Sequence, residues 1–157
     1  MIQPAVLDTL IDMADKQAEK LAQRVAAAAR AHEEHSQKLT LLLQYREDYL
    51  ARYQRGLSHG LGVADHLNFR EFLYKLDEAI DGQQTLVNQA IGRLDQERSQ
   101  WQEAERKRLS FSTLSQRALA QQQLEQARRE QKASDEYAAR MTRSAGAWQS
   151  ATTKPEC

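Results

Sequence analysis

Two histidines three residues apart, His32 and His35, are the first side chains whose type and spacing suggest chemistry, because that spacing sets both imidazoles on one helical face. A metal site needs further ligands. Both residues fall inside an apolar alternation, so they read as polar positions that fix how two helices align rather than as metal ligands. The cluster Glu103, Glu105, Arg106, Lys107 and Arg108 reads as a solvated helix face. No Gly-rich loop follows a strand-like run, so no phosphate cradle is expected. A thin helical chain also offers no concave, water-excluded pocket in which a serine or histidine could be activated. The expectation is therefore no catalytic residue, no cofactor, no metal and no enzyme.

What would position such side chains is a rod. The chain has 157 residues, of which 28% are charged and only 6% aromatic, too little apolar bulk for a thick globular core. Lysine plus arginine equal aspartate plus glutamate at 22 each, so overall charge invites neither nucleic acid nor an anionic membrane. The balance is uneven along the chain: residues 61–100 carry 4 basic and 7 acidic side chains, residues 101–157 carry 10 and 7. The one cysteine, Cys157, cannot form an internal disulfide, and no stretch approaches the ~20 apolar residues of a membrane span. With no basic-then-apolar leader pattern, a cytoplasmic protein is expected, touching a membrane only through partners.

Gly56, Gly60 and Gly62 crowd one short stretch, while the only prolines, Pro4 and Pro155, lie near the ends. The chain therefore reverses once. The spacing predicts helix one over about 5–54, a turn over about 55–65 with Asp65 capping the second helix, helix two over about 66–145, and a frayed tail over about 146–157, all in one domain. A three-four alternation runs Leu7, Ile11, Ala14, Ala18, Leu21, Val25, Ala28, His32, His35, Leu39, Leu42, Arg46, Tyr49, Tyr53. A second runs Phe69, Leu73, Leu76, Ile80, Gln83, Val87, Ala90, Leu94, Glu97, Trp101, Ala104, Arg108, Phe111. These are coiled-coil seams. Superposed antiparallel, they set Tyr53 opposite Phe69, Tyr49 opposite Leu73, Leu21 opposite Trp101, and His35 opposite Val87. Beyond Phe111 the phase slips, and a weaker alternation continues through Ala120, Leu124, Ala127 and Met141 to Trp148. The fold class is all-α: two long helices in an antiparallel coiled-coil hairpin with a C-terminal helical extension.

One feature exceeds what a two-helix rod requires. Phe72, Leu76, Ala79, Gln83, Leu86 and Ala90 form a second apolar stripe that shares Leu76, Gln83 and Ala90 with the seam. Helix one matches it with Leu39, Leu41, Leu42, Leu43, Tyr45 and Tyr49. So wide an apolar face near a turn calls for a third helix or a partner, a second copy included. Phe72 and Ala79 lie beside the seam, so Phe72 is expected to contribute little to the folded rod.

Leu-Gln-Tyr-Arg-Glu-Asp-Tyr at 43–49, Asn-Phe-Arg-Glu-Phe-Leu-Tyr-Lys-Leu-Asp-Glu-Ala-Ile at 68–80, Trp-Gln-Glu with its basic sequel at 101–108 and Glu-Gln-Lys-Ala-Ser-Asp-Glu-Tyr-Ala at 130–138, taken in that order and spacing, resemble the flagellar export protein family FliJ. The resemblance covers nearly the whole chain. It implies an antiparallel coiled coil similar to the rod of the rotary ATPase γ subunit, and a cytoplasmic part of the flagellar type III export apparatus, peripheral on the membrane through that apparatus. Implied partners are the export ATPase FliI, in whose ring the chain would act as a central stalk, the export gate FlhA, and export chaperones. The family's gate-binding stripe falls here on Phe72, Leu76, Ala79 and Gln83, the last standing where relatives are expected to carry histidine. The chain would be a monomer when free. The alternative is a self-assembling structural or cargo-holding coiled coil in the cytoplasm.

Overall fold

The computed structural model describes residues 3–151, and among them the chain is two helices with no strand: α1 is Pro4–Ser58 and α2 is Val63–Ala151. The expected tail at 146–157 is helical as far as Ala151, and its remainder lies outside the described residues. Gln3 opens α1, its carbonyl accepting the N–H groups of Val6 at 3.0 Å and Leu7 at 3.1 Å. Pro4 follows at the first helical position, where its missing N–H is not required.

The reversal occupies only residues 59–62, less than the expected 55–65, because both flanking helices extend into it. Gly56 stays inside α1, since a side chain there would strike Leu61, which folds back against it. The carbonyl of Arg55, left without a partner in its own helix, accepts from Ser58 Oγ and His59 Nδ1, each at 2.8 Å. Gly60 then takes φ 83°, a left-handed conformation that favours glycine, and donates its N–H to Leu57 at 3.4 Å. Gly62 precedes α2 and accepts the N–H of His66 at 3.0 Å. Asp65 is therefore not the capping residue expected; it lies in the first turn of α2, where its charge suits the positive end of the helix dipole.

The chain divides into two units, residues 12–108 and residues 3–11 with 109–151. In the first, the buried side chains are Ala14, Ala18, Leu21, Ala28, Leu76, Val87 and Leu94, every one a member of the two predicted seams. Burying a leucine or valine this way contributes about 2 kcal/mol. The arms of the hairpin run antiparallel, with Tyr53 packed on Phe69 at a ring separation of 5.3 Å and Arg108 reaching Asp15 at 3.8 Å. His35 has a partner that the register alone does not name: Gln83, one helical turn from Val87, donates its amide to the His35 carbonyl at 2.9 Å, the long side chain reaching along the seam. In a Cys157→Ser background, cysteines at Leu21 and Trp101 should form a disulfide within one chain, read as faster migration without reductant. Bridges between chains alone would reject this register.

In the second unit Leu7 is buried, while residues 116–151 are exposed apart from Glu125. Three glutamines each donate to an acid four residues on: Gln121 to Glu125 at 3.2 Å, Gln126 to Glu130 at 3.2 Å and Gln131 to Asp135 at 3.0 Å. Such pairs add a few tenths of a kcal/mol each and support a helix whose side chains are otherwise solvated.

A candidate partner-binding surface beside the turn

Near the turn the two helices meet through aromatic rings rather than through leucine alone. Tyr49 of α1 is the centre, 4.5 Å from Phe72, 5.0 Å from Phe69 and 6.4 Å from Tyr45 between ring centroids. Tyr45 meets Phe72 edge-on at 6.2 Å, and the Tyr53 hydroxyl is hydrogen-bonded to the His66 ring. Centroid separations of 4.5–7 Å are those of interacting aromatic pairs. Burial holds the Tyr49 phenol above its usual pKa, with the Tyr45 hydroxyl adding to the shift.

The four residues of the sequence stripe have unlike surroundings. Leu76 is 6% exposed and belongs to the hairpin's own core. Gln83 is half-buried and donates its amide to the His35 carbonyl at 2.9 Å, with the His35 Nδ1 acceptor at 3.3 Å, so it too is engaged across the helix pair. Ala79 is exposed. Phe72 is 37% exposed, with one part of its ring against Tyr45 and Tyr49 and another facing solvent. The reading of Phe72 as a bystander to the fold is therefore corrected: an aromatic ring beside a seam is long enough to reach the facing helix. Leu41 and Tyr45 on α1, with Leu86 on α2, add further exposed apolar surface to this region.

On the same stretch of the rod, a half-exposed ion pair that the apolar alternation does not reveal links the two helices. Arg46, an interruption of the first seam, donates its Nε to Asp77 at 2.6 Å. The bond and the charge of the carboxylate both raise the guanidinium pKa further. Its signal in the sequence is an acid on α2 at the level of a base inside the α1 seam. Arg108 repeats the device, bonded to Glu105 at 3.0 Å and reaching Asp15, so two members of the expected solvated cluster, Glu105 and Arg108, are half-buried. Among the described residues no group of histidine, cysteine and acidic side chains is arranged to hold a metal; His32 lies 3.4 Å from Ser36 Oγ on its own helix. An open groove of about 490 Å³ between Arg24, Ala27, Ala31, Ala90, Arg93 and Glu97 exists where small alanine side chains leave space between the helices. No helix among the described residues is long and apolar enough to cross a membrane.

What this arrangement can do is present a rigid, partly apolar surface to another macromolecule. The chain aligns with the Flagellar FliJ protein of Salmonella typhi and with that of Escherichia coli (strain K12), each 26% identical over 140 residues, covering 89% of this chain and 95% of the relative. The family model described as Flagellar FliJ protein matches residues 4–147, and with nearly the whole two-helix chain matched in this way, the protein belongs to the flagellar FliJ family.

Proposed function

We propose that this chain is a non-enzymatic stalk of the flagellar type III export apparatus, joining the export ATPase FliI to the export gate FlhA and receiving export chaperones. Family membership supports the coarser part of this reading, a component of flagellar protein export. The observation that carries the finer part is a completed core lying directly beneath an uncovered apolar surface. Leu76 and Val87 are buried between the helices, while Phe72, Tyr45, Leu41 and Leu86 remain exposed beside them. The hairpin's own contacts leave part of that surface open to solvent, and exposed patches of this kind commonly mark protein contacts. In this reading Phe72 and Ala79 touch the gate, whereas Leu76 and Gln83 hold the helices that present them. The unit containing residues 3–11 and 109–151 would enter the ATPase ring, by analogy with the γ subunit.

Ala79→Glu tests the gate contact, because it sets a charge on the exposed stripe without touching a buried side chain. Binding to purified gate protein should fall more than tenfold and swimming should be lost, with the melting temperature within a degree or two of the parent. Unchanged swimming would remove Ala79 from the contact. A concentration-independent dimer of the free chain in sedimentation, abolished by the same substitution, would instead favour the self-assembling coiled coil.

A further inference from the structure

The two sides of the hairpin differ in charge as well as in apolar surface. Along the seams within residues 12–108, positions directly before a seam residue lie on the side of Tyr45 and Phe72, and positions directly after one lie on the opposite side. The first side carries seven lysines and arginines, from Lys20 to Lys107, against three acids, Glu34, Asp48 and Glu103. The second carries two bases, Arg70 and Arg98, against nine acids, and Arg46 and Arg108 of the seam turn to acids of that side. The backs of the helices are mixed, with Lys16, Arg30 and Arg106 against Glu71 and Glu78. Of the seven bases only Lys75 is in an ion pair among the described residues, with Glu71 of its own helix at 3.5 Å.

The alanine groove lies on the basic side too. Arg24, Ala27, Ala31 and Arg93 directly precede the seam residues Val25, Ala28, His32 and Leu94, so the groove continues the exposed surface of Phe72, Tyr45, Leu41 and Leu86 away from the turn. Arg24 and Arg93 stand exposed at its rim, and Glu97, the one acid that lines it, is half-buried. We infer that this side seats a single amphipathic helix of the partner, acidic on its polar flanks and bulkiest where it enters the alanine groove. The seat includes Phe72 and Ala79, and so rests on their reading as a partner contact. A furrow between two helices fits a third, which offers apolar side chains every three or four residues along one line. From Tyr45 to Arg24 the seat runs for roughly 20 residues of α1, ~30 Å. Charge selects the class of helix, because an excess of unpaired bases attracts glutamate and aspartate flanks and repels lysine-rich ones. A second copy laid here through its own matching side would set bases against bases.

Two synthetic helical peptides of about 20 residues, alike in a leucine–alanine apolar face but flanked by glutamate in one and by lysine in the other, test it on the full chain beside the purified gate protein. The glutamate peptide should bind, more weakly as salt is raised, and the lysine peptide should not. Ala31→Trp fills the groove from an exposed position, and should weaken both the glutamate peptide and the gate protein more than tenfold with the melting temperature kept. Arg24→Glu with Arg93→Glu should do the same. Glu19→Lys with Asp95→Lys, on the acidic side, should leave both unchanged. Equal binding of the two peptides overturns the inference, and so does binding of neither. Full gate binding by Ala31→Trp where Ala79→Glu loses it also overturns it, confining the contact to the stripe and leaving the gate reading in place. A glutamate peptide that binds as expected while the gate protein ignores the parent chain removes the gate reading and supports the seat for an acidic helix. A dimer of the free chain that Ala31→Trp disperses overturns the inference in favour of a second copy.

Discussion

Tyr49→Ala should cost the hairpin about 3 kcal/mol, because it removes the ring at the centre of the aromatic cluster and leaves Phe69 and Phe72 facing a void. Chemical unfolding followed by circular dichroism reads the loss as a lower midpoint with an unchanged slope. Tyr49→Phe is the control. It keeps the ring contacts and should shift the midpoint little. The phenol also makes an alkaline test possible. Its folded pKa lies above the unfolded value near 10, so the neutral form is favoured by folding. The stability it contributes is present below the unfolded pKa and is lost as pH rises from there through the folded pKa. Tyr49→Phe should flatten that alkaline decline, and a decline identical to the parent's would show that Tyr49 is not its source.

Leu76→Ala should destabilise the chain by about 3 kcal/mol, the ordinary cost of a cavity where a buried leucine stood. Three residues along the same stripe, Ala79→Glu should leave stability alone. Phe72→Ala belongs between them: part of its ring rests on Tyr45 and Tyr49, so it should lose about 1 kcal/mol of stability and some partner affinity together. Measured side by side, thermal unfolding should rank the three Leu76, Phe72, Ala79, while loss of gate binding at equal folded fraction should rank Ala79 and Phe72 above Leu76. Should Leu76→Ala keep its melting temperature and still lose the gate, Leu76 is a contact residue and does not belong to the core.

The core of the rod was legible in the residues because a seam is a one-dimensional pattern. Three-four spacing fixes the angle at which a side chain leaves the helix axis, so Ala14, Ala18, Leu21 and Ala28 on one helix and Val87 and Leu94 on the other had to face inward wherever the helices met. The glycine cluster likewise allowed one place of reversal. Membership of a flagellar family was legible in the order and spacing of segments that share this simple pattern. Spacing alone did not decide what happens at the edge of the seam. Leu76, Ala79, Phe72 and Gln83 lie on one stripe, yet the first is enclosed, the second is open, the third is shared between solvent and two tyrosines, and the fourth is bonded to His35. Arg46 breaks the apolar alternation and still serves the interface through Asp77. At such positions the helical angle is marginal, and burial depends on how far the opposite side chain reaches. Only the packed pair of helices determines that.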